Sequence, residues 1–89
     1  MKNYSYPIDL DWSTEEVVIV TEFLAAVEQA NESQIDRLQF MRKYQLFKSV
    51  VKSIGEEKRL GREFEKLSGF SIYQTVQAAK QNTKKAFTI

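Results

Sequence analysis

The pattern that most constrains this chain is a serine followed three residues later by glutamate or glutamine, at the start of an apolar run. It occurs at Ser13 and Glu16, again at Ser53 and Glu56, and a third time at residues 71–74. In such a capping box the serine hydroxyl accepts a hydrogen bond from the third helical amide, and the glutamate or glutamine side chain bonds back to the serine amide. Each occurrence therefore predicts the start of an α-helix.

Apolar residues after these starts recur at steps of three and four, the period of a helix that buries one face. Helices are predicted over about 14–30, 34–52, 54–68 and 72–81, with Ser33 capping the second and Gly69 ending the third. Leu60, Phe64 and Leu67 are the predicted core of the third helix. Gly61 lies inside that helix, which favours close packing against another helix.

The second predicted helix is apolar on two sides. One stripe comprises Phe40, Tyr44, Phe47, Val51 and Ile54. On the other side, around Arg42, lie Ile35, Leu38 and Leu46. Such a helix is either central to the bundle or exposes a binding patch. We predict a central helix, because a small domain needs all the apolar area it can bury.

The two ends of the chain are predicted to be non-helical. In residues 1–12, apolar side chains alternate with polar or proline positions, and the apolar set is Tyr4, Tyr6, Ile8, Leu10 and Trp12. This period of two predicts an extended arm with one apolar side on the bundle. We expect little β-structure, since no partner strand is evident. The tail, residues 82–89, is expected to be mobile unless Phe87 docks.

A chain of 89 residues supports one hydrophobic core. We therefore predict a single domain over 1–89, which is all-α: a compact bundle of about four short helices with an extended aromatic N-terminal arm. No apolar run approaches the roughly 20 residues of a membrane span, and no signal peptide is visible. A cytoplasmic location without membrane contact is expected.

Residue types needed for much common chemistry are absent. The sequence has neither Cys nor His, which excludes disulfides, thiolate nucleophiles, imidazole bases and the usual zinc sites. Gly55, Gly61 and Gly69 form no phosphate-binding loop. Acids alternate from Asp9 as in a calcium loop, but Thr14 stands where that loop requires Gly. We expect no catalytic residue, no metal site, no cofactor and no small-molecule substrate; the protein is predicted not to be an enzyme.

Charge is divided unevenly along the chain. Residues 1–36 hold eight acids and one base, giving −7, while residues 37–89 hold twelve bases and four acids, giving +8. The acidic first helix could lie beside the basic later helices, so that their fields partly cancel. Alternatively, the basic half forms a surface for an anionic partner. A third interpretation is self-association, acidic end to basic end.

Several separated blocks resemble one family, uncharacterised protein family 0223. The blocks are YSYP at 4–7, WSTEE at 12–16, EEKRLGREFE at 56–65, SGFSIY at 68–73 and VQAAK at 76–80. The resemblance implies a small helical cytosolic protein of Gram-positive bacteria, and it implies no established activity and no catalytic residue. The family often has a proline before the third helix, where this chain has Lys52. That departure predicts that the second and third helices run closer to continuous.

Binding to another protein, or to itself, is the function we predict, as a small adaptor or regulatory protein, because it requires only a surface. The candidate interface residues are Tyr4, Tyr6, Trp12, Leu38, Arg42 and Leu46. The alternative is a nucleic-acid-binding accessory protein that uses the basic C-terminal half: Lys58, Arg62, Lys66, Lys80, Lys84 and Lys85. A helix-turn-helix around Gly69 is disfavoured, because Glu65 stands where such motifs need a small buried residue.

Overall fold

Four α-helices contain most of residues 6–82 and 84–89, the part of the chain that the computed structural model describes. They are α1 (Thr14–Glu32), α2 (Arg37–Val50), α3 (Ile54–Ser68) and α4 (Ile72–Gln81). Two short strands, β1 (Ile35–Asp36) and β2 (Ala86–Phe87), pair in antiparallel fashion. The prediction of an all-α bundle of about four helices is confirmed.

The predicted helix caps account for three of the four starts. Ser13 forms a complete capping box, in which its Oγ accepts from the Glu16 amide at 3.2 Å and its amide donates to Glu16 Oε1 at 2.8 Å. Ser53 and Ser71 cap α3 and α4 through the hydroxyl half of the box: their Oγ atoms accept from the Glu56 and Gln74 amides at 3.0 and 3.1 Å. Gly69 has a φ of 83°, the left-handed conformation that a glycine adopts without steric cost, and it ends α3 as predicted.

Phenylalanine rings fill the centre of the core, between α1 and α2. The ring of Phe23 stacks on that of Phe47 with centroids 4.5 Å apart, and it also contacts Phe40 and Tyr44. The rings of Phe40 and of Phe87, from the C-terminal tail, form a T-shaped pair with centroids 5.2 Å apart. The tail is therefore part of the core, and Phe87 is only 2% exposed. The tail was expected to be mobile unless Phe87 docks, and Phe87 does dock on the bundle.

The start of the second helix was predicted wrongly. Ser33 ends α1 instead, and Asp36 caps α2 by accepting from the Gln39 amide at 2.9 Å. The reason is long-range: the tail returns to pair with β1, so that Phe87 lies opposite Ile35. Tail groups also bond the open ends of two helices. The Lys85 carbonyl accepts from the first amide of α2, at Arg37, and the Ile89 amide and Thr88 hydroxyl donate to the Ala30 carbonyl near the end of α1.

The second and third helices are separate, contrary to the near-continuous helix predicted from Lys52. The chain leaves α2 at Val51, which is fully buried, and α3 begins at Ile54. Ile54 therefore does not continue the α2 stripe; it is 69% exposed. Leu67, predicted as core, is also 50% exposed, although its spacing places it on the side of α3 that carries the buried Leu60 and Phe64.

The N-terminal arm departs from strict alternation. Tyr6 and Trp12 pack against the core, but Ile8 is exposed and Leu10 is 97% exposed. A turn explains the difference: the Trp12 amide donates to the Asp9 carbonyl at 3.1 Å, and the Asp11 amide to Asp9 Oδ1 at 2.9 Å. The turn interrupts the extended backbone and directs Leu10 outward. Tyr4 lies outside the described residues.

Candidate interaction surfaces

The outward side of α2 carries Leu38, Arg42 and Leu46, which we call the α2 ridge. The two leucines are 58% and 53% exposed, and Arg42 is exposed between them. Residues four apart share one side of a helix, so the three side chains form a continuous surface. The prediction that α2 is buried on both sides is therefore wrong for this side. Within the described part of the chain, Arg42 has no ion-pair partner.

The position of the ridge follows from the anchors of α2. Phe40 and Phe47 are fully buried and fix one face of the helix against α1. Leu38 precedes Phe40 by two residues, or about 200° around the helix axis, so it points away from that contact. Turning the ridge inward would bring the two phenylalanines into water. The exposed leucines are thus a consequence of the aromatic core.

Two arm aromatics, Tyr6 and Trp12, are half-buried and pack against the bundle. The Tyr6 hydroxyl donates to a carboxylate oxygen of Glu28, and its ring lies 6.2 Å from that of Phe64. Burial raises the pKa of Glu28 above its ordinary value; the Tyr6 hydrogen bond opposes this shift, and the nearby charge of Glu32 adds to it. Trp12 is half-buried against the core. Of the predicted interface, the ridge is therefore on the surface, while Tyr6 and Trp12 pack within the fold.

A second surface lies between α3 and α4, with the C-terminal half of α2 at one side. We call it the α3–α4 groove; its volume is about 520 Å³, within the roughly 300–1,000 Å³ of ligand-binding clefts. Ile72, Val76 and the ring of Tyr44 give it an apolar lining. Ile54 and Tyr73 also line it and are mostly exposed. The groove thus offers apolar contact area to an occupant.

Cations outnumber acids around this groove. Lys48, Lys58, Arg62 and Lys80 line it, against Glu57 and Glu65. Lys48 donates to Glu57 at 2.8 Å, a bond that raises the pKa of Lys48. The Nζ atoms of Lys48 and Lys80 lie 5.8 and 5.9 Å from the centroid of the Tyr44 ring, within cation–π range.

The predicted basic face is only partly assembled. Lys58, Arg62 and Lys80 line the groove, whereas Lys66 does not. Lys84 and Lys85 are exposed in the segment that leads into β2, beside the start of α2. The groove is also lined by Tyr44, Lys48 and Tyr73, which are not among the binding residues predicted from the sequence. Tyr44 was assigned to the core stripe by its helical spacing, which does not show that α3 and α4 leave one side of its ring open.

Gly61 opens onto the groove. A Cβ built at this position would meet no atom within 4 Å. The close helix contact that the sequence analysis expected at Gly61 is therefore absent. The glycine instead exposes its backbone at the groove, where no part of the described protein occupies the space.

Among the alternating acids of the arm, Asp9 hydrogen-bonds to the backbone. Asp9 accepts from the Asp11 amide, and Ser13 caps α1. Across residues 6–82 and 84–89, no three Asp or Glu side chains are grouped so as to hold a metal ion. In the same residues, no helix combines the length and apolar character needed to cross a bilayer.

The fold and these surfaces define a small four-helix protein with an apolar–cationic ridge and a cationic groove. The chain belongs to the uncharacterised protein family UPF0223, whose family model matches residues 3–88. It is 64% identical to a UPF0223 protein of Enterococcus faecalis over 91% of this chain and 88% of the relative. A Streptococcus gordonii relative is 58% identical over 94% and 90% of the two chains, and a Listeria monocytogenes relative is 52% identical over 90% and 89%. The family resemblance noted from the sequence blocks is thus confirmed.

Proposed function

We propose that this protein is a small non-catalytic adaptor or regulatory protein that binds a partner protein through the α2 ridge. The observation that carries the proposal is the exposure of Leu38 and Leu46 on one side of a helix that is anchored on its other side by the fully buried Phe40 and Phe47. A folded protein gains nothing from two large apolar side chains in water, whereas an interface gains from burying them.

The ridge also indicates the chemistry of its partner. Arg42 lies between the two leucines and has no ion-pair partner among the described residues. Arginine is enriched among the residues that dominate binding energy at protein interfaces. The partner surface that fits is therefore an apolar groove that receives the leucines and carries a carboxylate for Arg42.

The test compares exposed leucines on and off the ridge. The purified protein, the double variant Leu38→Ser/Leu46→Ser and the control Leu10→Ser/Leu67→Ser are immobilised and exposed to cell extract. Both variants remove two exposed leucines, so both should keep the helical circular dichroism spectrum. We expect a protein that is retained by the wild type and the control but not by the ridge variant.

The retained protein is then purified and titrated against the three chains. Loss of two buried leucine contacts should weaken binding at least about tenfold. Equal affinity for the ridge variant and the control would contradict the proposal, as would an extract from which the wild type retains no protein. Unfolding of the ridge variant would show that Leu38 and Leu46 belong to the core.

Nucleic-acid binding is the alternative function, and Lys58, Arg62 and Lys80 around one groove favour it. Glu57 and Glu65 interrupt those cations, which disfavours contact with a continuous phosphate backbone. A nucleic-acid complex should weaken steeply with salt and should be lost in Lys58→Glu/Arg62→Glu. No binding of RNA or DNA at low salt would exclude this alternative.

A further inference from the structure

The α3–α4 groove has the length of a helix-binding site. Along α3 its lining residues run from Ile54 to Glu65, which is about 16 Å at 1.5 Å per residue. They follow the i, i+3, i+4, i+7, i+8, i+11 pattern of one helix side: Ile54, Glu57, Lys58, Gly61, Arg62 and Glu65. An amphipathic helix laid in such a groove contacts it over two to three turns. The open space above Gly61 allows an occupant to approach the α3 backbone closely.

The outward side of α1 is complementary to this groove. Six exposed residues follow each other there at steps of three and four, and we call them the α1 stripe: Glu15, Val18, Glu22, Ala25, Gln29 and Glu32. The stripe contains three acids, one valine and one alanine, and α1 as a whole contains no Lys or Arg. Within one chain Glu22 Oε2 lies 3.8 Å from Lys43 Nζ of α2, a partly exposed pair of the kind that contributes little to stability. It spans 18 residues, or about 26 Å, enough to fill the groove. The side chains of Val18 and Ala25 are small enough to approach a glycine.

We propose that the α3–α4 groove of one copy of this chain binds the α1 stripe of a second copy. Glu15 and Glu22 face Lys58 and Arg62 in this complex, and Val18 contacts the exposed apolar residues of the groove. The inference goes beyond the proposed function and does not depend on it, because the α2 ridge takes no part in the contact. Since groove and stripe are different surfaces, the association is head-to-tail.

The excess of positive charge around the groove favours the acidic α1 stripe as its occupant. Glu57 is paired with Lys48, which leaves Lys58, Arg62 and Lys80 around the groove against Glu65 alone. An acidic occupant with small apolar residues satisfies both the excess cations and the apolar lining. The −7 charge of residues 1–36 and the +8 charge of residues 37–89 give two copies a favourable head-to-tail encounter. A nucleic acid would satisfy the cations but place phosphates beside Glu65.

The experiment is a charge exchange between the two surfaces. The groove variant is Lys58→Glu/Arg62→Glu, and the stripe variant is Glu15→Lys/Glu22→Lys. Each carries like charges on its groove and its stripe, so each alone should be monomeric. In an equal mixture, every groove meets a stripe of opposite charge. We expect size exclusion with light scattering to show association of the wild type and of the mixture, but of neither variant alone.

Salt and matched controls sharpen the result. Wild-type association should be stronger at about 20 mM than at about 150 mM salt, because the charges are solvent-exposed. The control Lys84→Glu/Lys85→Glu makes the same charge change outside the groove and should associate like the wild type. Gly61→Leu fills the groove without changing charge and should weaken self-association at least about tenfold. Circular dichroism verifies that each variant is folded.

Specific outcomes overturn the proposal. A wild type that stays monomeric at low salt up to about 1 mM protein overturns it, as does a mixture that fails to associate. RNA or an acidic peptide that binds the groove of a monomeric wild type would identify another occupant instead. Leu38→Ser/Leu46→Ser should self-associate normally, so failure of this proposal is distinguishable from failure of the proposed function.

Discussion

Between α1 and α2 the facing residues are aromatic, whereas between α3 and α4 they include several charged side chains and a glycine. Phe23 of α1 contacts three rings of α2, and all four side chains lie in or against the core. α3 reaches the core through Leu60 and Phe64, and its next apolar candidates, Ile54 and Leu67, are exposed. The first helix pair is therefore closed by packing, while the second leaves a groove.

This difference assigns different roles to the two halves. Dense packing stabilises the fold. Replacing a large side chain there by a small one is strongly destabilising, because the neighbouring atoms fill the resulting cavity only in part. An open groove contributes little to stability, so its residues are free to serve binding. If the comparison is correct, substitutions between α1 and α2 should lower the free energy of unfolding. Substitutions in the α3–α4 groove should instead weaken association.

The largest effect is expected at the centre of the closed pair. Phe23→Ala should lower the free energy of unfolding by about 3–5 kcal/mol, because it removes a fully buried ring that contacts three others. Urea denaturation measures the loss. The groove counterpart Tyr73→Ala, at a residue 72% exposed, should change it by no more than about 0.5 kcal/mol. Similar losses in the two variants would contradict the division into a packed half and an open half.

The next largest effect is expected in the C-terminal tail, which packs against the α1–α2 pair through Phe87. Phe87→Ala should cost about 3 kcal/mol, because Phe87 is buried and its ring meets Phe40. It should also accelerate hydrogen exchange at the Arg37 and Ile89 amides, whose acceptors lie across the tail contact. Ile89→Ala, at an exposed residue, is the control and should leave both quantities near wild type. Unchanged exchange in Phe87→Ala would show that the strand pairing holds the tail without its aromatic anchor.

A smaller effect of opposite sign is expected in the groove. Gly61→Ala should raise the free energy of unfolding by about 0.5–1 kcal/mol, because alanine is favoured over glycine inside a helix and its Cβ meets open space. Gly69→Ala should instead lower it by about 1 kcal/mol, because the φ of 83° is unfavourable for alanine. Thermal unfolding compares both. A destabilising Gly61→Ala would mean that α3 is packed more tightly at Gly61 than the groove indicates.

The local parts of this structure could be predicted from sequence, because their causes are local. Ser13, Ser53 and Ser71 cap helices through bonds to residues three positions away, and Gly69 ends α3 through its own backbone freedom. The start of α2 could not be predicted in this way. Asp36 replaces Ser33 as the cap because the tail, about 50 residues later, pairs with β1, and no local pattern signals that contact.

The candidate surfaces show the same limit. Periodicity correctly separated Leu38 and Leu46 from the Phe40 stripe, but it could not decide whether another helix covers them. Tyr44 and Ile54 were both assigned to the core, whereas both line the groove. Amphipathic spacing shows which residues share a side of one helix. Whether two helices close over that side depends on how α2, α3 and α4 are oriented, which is a property of the whole core.

The smallest expected effect is a dependence of stability on pH. It arises at Glu28 of α1, which accepts a hydrogen bond from Tyr6 of the arm. The pKa of Glu28 is raised mainly by burial, so the folded state binds this proton more tightly than the unfolded state. The free energy of unfolding should therefore fall as pH rises from the ordinary glutamate pKa through the raised value. Glu28→Gln removes this titration while keeping an acceptor for Tyr6, so it should be more stable than wild type at pH 7. The difference should shrink as the pH is lowered toward 4.

The arm supplies the control for this pH dependence. Tyr6→Phe removes the hydrogen bond that favours the charged carboxylate, so the pKa of Glu28 should rise further. The carboxyl carbon shift of Glu28 in an NMR titration reports the pKa in wild type and in Tyr6→Phe, and denaturation at each pH reports stability. An unchanged Glu28 pKa in Tyr6→Phe would show that the arm does not hold this carboxylate in solution. Tyr6 would then be an exposed aromatic residue, and the arm would join the α2 ridge among the surfaces available to a partner.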